Sequence, residues 1–273
     1  MIRSNLLEDD VGSVLSTALS DLSGTIYVVN PSRDSISELV TVLTESEDPP
    51  DVRLLADDAL LKEVMDDFIV ASKAADLVDA GHLALEVLDH APNHSLIATE
   101  DTTISIVSVG NSVAGLATEE SAFVDDVADY YESEWDRAEQ YSLRTPPLAR
   151  VRETLESDIG PDAAGDFDAV LSSLQTARGD GDGLDEVTIS LLVAARNGEL
   201  LYDISKWGED IGLASKATFS RTKTTLEDMG LIDTEKVPID VGRPRLRLML
   251  GDERLEDAST DELASVAQSL LAS

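Results

Sequence analysis

Residues 213–230 read Leu213-Ala-Ser-Lys-Ala-Thr-Phe-Ser-Arg-Thr-Lys-Thr-Thr-Leu-Glu-Asp-Met-Gly230. On a helix from Ser215 to Met229, Phe219, Thr222, Leu226 and Met229 share one stripe at spacings of three and four. Lys216, Thr218, Ser220, Arg221 and Lys223 are then expected to enter a DNA major groove, with Lys216, Ser220, Arg221 and Lys223 on the polar half of the cylinder. Ser215 suits the cap that opens a helix, and Gly230 suits the left-handed residue that ends one. No acid occurs from Gly212 to Leu226, in a chain whose formal net charge is -35. A helix face kept clear of carboxylates in an anionic protein is what approach to phosphates requires.

The flanks extend the pattern. Leu201 to Ile211 is expected as a shorter helix with Leu201, Ile204, Trp207 and Ile211 inward, and Gly212-Leu213 as the tight turn of a helix-turn-helix. Asp185 to Arg196 supplies the first helix of the module. Ile232 to Val237 and Leu246 to Leu250 read as two strands around Pro238-Ile-Asp-Val-Gly-Arg-Pro-Arg245. Arg243, Arg245 and Arg247 recur at every second residue, so they share one side of an extended ribbon. They make a basic wing, which together with Lys206 is expected to hold phosphates or a minor groove. Residues 185–250 hold nine Lys/Arg against eleven Asp/Glu, whereas the whole chain holds 20 against 55. The competing reading of these elements is a small helical module with a hairpin, used to dock another protein or with a metabolite-binding role.

The acid excess is dispersed along a chain that is 42% hydrophobic and regularly patterned, unlike a solvating acidic tail. Dispersed carboxylates of this kind suit a folded protein of a high-salt cytoplasm. The chain holds no cysteine, which excludes disulfides, thiolate chemistry and cysteine zinc sites. No apolar run is long enough to span a membrane, and the N-terminus lacks a basic-then-apolar leader. The expectation is a cytoplasmic protein without a membrane partner.

The first half reads as an α/β domain with a mixed sheet. Leu6 to Leu19 is expected as an amphipathic helix carrying Leu7. Thr25–Asn30, Val52–Ala56 and Ser95–Thr99 read as strands, and Thr103–Val109 with Ser112–Ala117 as a hairpin turned at Gly110-Asn111. Helices are expected after Pro31 to about Leu43, from Asp57 to Val70, from Val78 to Leu88 and from Glu119 to Tyr141. Phe123 and Val127 of the last are expected in the core. The expected division is 1–145 for a sensor or dimerisation domain, 146–162 for a linker, 163–258 for the winged helix-turn-helix and 259–273 for a final helix. That helix opens on Ser259-Thr-Asp-Glu262, which resembles a capping box.

Signals for catalysis are weak. Asp180-Gly-Asp-Gly lacks the remaining ligands of a calcium loop. His90 and His94 are separated by Pro92, so no helix aligns them for a metal. No Walker loop, dinucleotide fingerprint or nucleophile elbow occurs. Neither a catalytic residue, a metal nor a cofactor is expected. For a small effector, Asn30, Ser32 and Arg33 at the start of the helix after Pro31 are the phosphate candidate. Tyr130, Tyr131 and Trp135 are candidates for an aromatic pocket wall.

The segment Ser215 to Lys223, the wing Gly242-Arg-Pro-Arg245 and the helix around Tyr130-Tyr131-Glu-Ser-Glu-Trp135 resemble the haloarchaeal TbsP family of transcriptional regulators. The resemblance covers most of the chain. It implies a protein that binds double-stranded promoter DNA of central carbon metabolism, beside a TrmB-type sugar-responsive regulator. A sugar or sugar-phosphate effector is implied by that company and by no residue of the chain. The first domain is more loosely similar to the phospholipase-D-like sensor domain of TrmB-type regulators. Two departures stand out: those proteins carry their winged helix at the N-terminus, and the phospholipase His-x-Lys signature is missing here. A homodimer is expected because paired half-sites double the contacts.

Overall fold

The computed structural model describes residues 5–22, 24–90, 92–109, 112–178, 184–238 and 244–272. The chain forms two compact units, Met1–Asp66 with Lys73–Leu143, and Asp67–Ser72 with Arg144–Ser273.

The first unit follows the order β1 (Asn5–Glu8), α1 (Val11–Asp21), β2 (Ile26–Val29), α2 (Arg33–Glu45), β3 (Val52–Ala56), α3 (Asp58–Met65), α4 (Phe68–Asp79, whose first five residues belong to the second unit), β4 (Leu83–Val87), β5 (Leu96–Ala98), β6 (Thr103–Val109), β7 (Ser112–Thr118), α5 (Ser121–Trp135) and β8 (Glu139–Gln140). One eight-stranded sheet runs β1-β7-β6-β5-β2-β3-β4-β8. The β2–β3 and β3–β4 pairs are parallel, and the other pairs are antiparallel, which is the mixed sheet expected. The hairpin of β6 and β7 has the expected register up to Val109 opposite Ser112, while Gly110 and Asn111 lie outside the described residues.

Three expectations are corrected. Asn5–Glu8 is an edge strand on β7 rather than the start of a helix, and Leu7 is 75% exposed. The helix begins after Asp10, whose carboxylate accepts from Ser13 N at 2.7 Å. The stretch expected to be helical from Val78 to Leu88 contains β4. Gly81 takes φ +84 beyond the end of α4, and Leu83–Val87 then pairs along β3. Sheet pairing overrides a composition that suits either structure. Finally, the single helix expected from Asp57 to Val70 is two, α3 and α4, with Asp57 capping the first and Asp67 at the head of the second.

In the second unit, α6 (Leu148–Asp158), α7 (Pro161–Ser173), α8 (Glu186–Arg196), α9 (Leu201–Asp210), α10 (Lys216–Asp228), β9 (Ile232–Val237), β10 (Arg245–Leu250), α11 (Glu253–Asp257) and α12 (Leu263–Leu271) surround one core. Residues 146–162, expected as a linker with a short helix from Leu148 to Leu155, hold α6. Its Leu148, Val151 and Leu155 are buried in that core, and Thr154 Oγ1 accepts from Trp207 Nε1 of α9 at 3.0 Å. The helix α12 starts after Glu262, whose carboxylate accepts from Ser259 N and Oγ, the back-reaching half of a capping box. The Asp180-Gly-Asp-Gly loop lies outside the described residues.

Helices α9 and α10 meet at Gly208. A Cβ built there would stand 2.5 Å from Phe219 Cζ, and Phe219 is fully buried. The ring has no open side to move into, so Gly208→Ala is expected to destabilise this unit by about 1–3 kcal/mol through overpacking. Denaturant unfolding checks this; an unchanged midpoint would contradict the close approach.

Candidate nucleic-acid interface

The helix α10 is positioned from both ends. Ser215 Oγ accepts from Thr218 N at 3.1 Å, and Gly230 takes φ +75 after the last turn. Before it, Gly212 takes φ +83, which lets the chain reverse from α9 into α10. Strands β9 and β10 pair from Ile232–Leu250 to Val237–Arg245, and Leu200, between α8 and α9, adds a single bridge to Arg247. The order is helix, bridge, helix, helix, strand, wing, strand.

Phe219, Lys223 and Leu226 form the buried side of α10. Lys223 was expected in the groove, and the structure corrects this: it is 9% exposed. Spacings of four and three put its aliphatic stem between Phe219 and Leu226 on the inner face. Its Nζ reaches Glu227 Oε2 at 2.7 Å, and Thr234 of β9 donates to Glu227 Oε1 at 2.6 Å. These two hydrogen bonds hold the Glu227 carboxyl below its ordinary range. Glu227 therefore ties α10 to β9, and Lys223 braces its carboxylate from within the helix. Met229, expected on the buried stripe, is instead 46% exposed.

The exposed side of α10 presents Ala217, Ser220, Arg221, Thr224 and Thr225, and ends on Asp228 in its last turn. Arg221 makes no ion pair with a described carboxylate; its guanidinium donates to Thr218 Oγ1 at 3.4 Å. Thr218 is half-buried and shares a hydrogen bond with Ser215 Oγ. Thr224 and Thr225 were missed, although they follow from Ser220 and Arg221 by the same four-residue step.

The remaining basic groups differ in how they are held. Lys216 pairs with Glu209 at 2.6 Å, and Lys206 pairs with Asp210. The hydrogen bond from each lysine holds its carboxylate partner below the ordinary range and lifts the lysine above its own. Arg245 lies 4.2 Å from the centre of the Tyr202 ring and donates to Asp203 at 3.1 Å, so it is anchored on α9. Arg247 is exposed opposite Glu235. Arg243 lies outside the described residues.

In the first unit, most of the effector candidates are also held by contacts within the fold. Asn30 has φ +46, and its side-chain amide donates to Pro92 O at 2.7 Å and His94 O at 3.3 Å. Ser32 caps α2, and Arg33 pairs with Glu63 at 3.2 Å. Tyr131 is buried, with its hydroxyl hydrogen-bonded to His94 Nε2 at 2.9 Å. The His94 segment thus brings Asn30 and Tyr131 together. Trp135 is packed edge-on to Tyr27, and Arg53 lies over both rings while donating to the Tyr27 hydroxyl. Tyr130 is exposed, as is Phe123, which was expected in the core; Val124 takes that place. An open trough of about 1400 Å³ beside α1 and α2 is rimmed by Glu8, Asp10, Glu38, Glu45, Asp48 and Asp51, a setting that repels phosphate.

Burial pushes the Tyr131 hydroxyl up from 10.0 to about 12, with Tyr130 and Glu134 adding to the rise. A raised folded-state value means that protonated Tyr131 stabilises this unit fully below pH 10.0, and the contribution fades as pH approaches about 12. Absorbance titration is expected to show a late tyrosinate component near pH 12 that is absent in Tyr131→Phe. A high-pH limb unchanged by Tyr131→Phe would contradict it.

A helix-turn-helix with a two-stranded wing, and a second helix whose exposed face carries no acid before its last residue, defines a DNA-binding regulator of the winged-helix class. The comparisons with known proteins agree. Residues 3–146 match the model described as "Transcriptional regulator TbsP-like, N-terminal", and residues 147–268 match "Transcriptional regulator TbsP-like, C-terminal HTH domain". The chain belongs to the TbsP-like family of transcriptional regulators. No curated protein matches it. Among solved structures it is similar to TrmBL2, described as an archaeal chromatin protein with a novel mode of DNA binding, at 12% identity and a TM-score of 0.38. That match covers 52% of this chain and 54% of the other, so the chain spans about half the length of TrmBL2. Among the described residues no helix is long and apolar enough to cross a membrane.

Proposed function

We propose that this chain reads promoter DNA as a homodimer, with α10 in the major groove and the wing on the backbone or minor groove. The observation that carries this reading is the exposed run Ser220, Arg221, Thr224 and Thr225, within a stretch Gly212–Leu226 that holds no acid in a chain of net charge -35, the exposed Asp228 coming only at the last residue of the helix. Arg221 is the base reader, with Ser220 and Thr218 beside it. Lys206, Lys216, Arg243, Arg245 and Arg247 hold phosphates. The regulated promoters are those of central carbon metabolism, in a high-salt cytoplasm and beside a TrmB-type regulator. The family resemblance and the dispersed acid excess support this. A sugar or sugar phosphate acts on the first unit near Asn30, Ser32, Arg33 and the Tyr130–Trp135 face. Protection of that face from hydrogen exchange by an added sugar tests the effector; unchanged exchange with every sugar and sugar phosphate tried would remove it.

The pairing of Lys216 with Glu209 and of Lys206 with Asp210 has a measurable consequence. A lysine already neutralised by a carboxylate releases little counterion free energy when it meets a phosphate. Glu209→Gln and Asp210→Asn each free one cation. Each is expected to tighten binding to any duplex at low salt and to steepen the slope of log K against log salt by about 1. Fluorescence anisotropy over a salt series measures it. Slopes identical to that of the parent chain would contradict the placement of these lysines at phosphates.

A further inference from the structure

Strand register carries one face across the whole first unit. Tyr27 aligns with Ala98 and Val29 with Leu96; Leu96 aligns with Ser105, and Ser105 with Leu116. Continuing along the same strands, Val107 aligns with Ala114, Ala114 with Leu7, and Val109 with Ser112. The helix α5 covers the β5-β2-β3 part of this face through Val127, Tyr131 and Trp135. The β6-β7-β1 part has no described element over it. There Leu7, Val107, Val109 and Leu116 are exposed, with Val109 at 73%. The opposite side of the same strands is buried where Val14 of α1 closes on Gly115, Ile104 and Leu6.

We propose that this bare half-sheet is the contact between two copies of the chain. The claim rests on the homodimeric reading above and assigns its surface. Its side chains are Leu7, Val107, Val109, Ala114 and Leu116, with Ser105 and Ser112 between them, and none is charged in a chain that holds 55 acids. Contiguous exposed apolar surface of this kind marks an interaction site. A second copy meets it with an equally uncharged, equally flat face, as a two-fold contact requires. Two such faces pack as sheets about 10 Å apart. Three strands about 4.8 Å apart and up to seven residues long give roughly 300 Å² in plan. That is below the ~800 Å² per partner of a standard interface. The contact is therefore reversible in free solution, and a second tether, such as two half-sites on one duplex, completes it.

Charge fixes how the contact responds to salt. Two chains of net charge -35 repel, and the repulsion is screened as the Debye length falls from about 10 Å at 0.1 M to about 3 Å at 1 M. Apolar contact is not weakened by that screening. Self-association of the full chain is expected to strengthen at least tenfold between those salt concentrations.

Sedimentation equilibrium of the full chain, the Val109→Glu/Leu116→Glu variant and Glu209→Gln tests this. Both positions of the double variant are solvent-exposed, and circular dichroism verifies its fold. A salt-strengthened monomer–dimer equilibrium is expected, abolished by the double variant and kept by Glu209→Gln. Because the chain holds no cysteine, a spin label at Val107→Cys reports the contact independently. Labels in the dimer are expected at a short, defined separation. A dimer that survives the double variant overturns this surface and leaves the dimeric reading standing. A chain that stays monomeric at every salt and concentration overturns both.

Discussion

Asp67→Ala is expected to destabilise the C-terminal unit by about 3–5 kcal/mol, the largest single effect at any position considered. The carboxylate is 4% exposed. It accepts from Ile69 N at 3.0 Å, Ala177 N at 3.2 Å and the Thr176 hydroxyl, and it faces Arg178 Nε at 3.4 Å. Arg178 is itself nearly buried, so removing its partner leaves a guanidinium charge that water cannot reach. The same carboxylate heads α4, whose Phe68 packs edge-on to Phe167. Asp67→Asn keeps the shape and part of the hydrogen bonding, so its cost is expected to be smaller. Denaturant unfolding of the three chains checks the order. A loss under about 1 kcal/mol for Asp67→Ala would show that the pair is hydrated in solution.

Arg221→Ala and Lys223→Ala are expected to separate two roles that a sequence alignment on the helix cylinder merges. Arg221 is exposed and unpaired with any described carboxylate, and its loss is expected to weaken specific operator binding by ~1–3 kcal/mol, roughly 5- to 150-fold, with stability unchanged. Lys223 is buried against Phe219 and Leu226 and joined through Glu227 to Thr234. Its loss is expected to lower stability while leaving the operator preference intact. Competition binding against specific and scrambled duplexes, run beside thermal unfolding, reads both. Equal loss on all sequences for Arg221→Ala would place it on phosphate rather than on a base.

The second unit was largely legible because its signals are local. Ser215 caps α10, Gly212 and Gly230 take the left-handed conformation, and the wing strands alternate as their register requires. The stripe on α10 was read one residue off: Lys223, not Thr222, sits between Phe219 and Leu226. A lysine in that place is hidden from pattern reading because only its stem is apolar. Ion pairing was equally hidden. Glu209 reaches Lys216 across the turn between two helices, and Asp203 reaches Arg245 from 42 residues away, distances set by tertiary packing. In the first unit, β4 was lost because Leu83–Val87 fits a helix or a strand until β3 pairs with it. Asp67 could not be read at all, since its partners lie more than a hundred residues later.

The central claim is sequence-specific DNA recognition through α10. Selection of bound duplexes from a random pool, with the full chain beside Arg221→Ala, tests it most directly. The expected result is an enriched motif whose two half-sites lie about one helical turn apart, or a multiple of that spacing. Arg221→Ala should lose preference at one position in each half-site. A pool that stays random under the parent chain, or the same motif from both chains, would contradict the account.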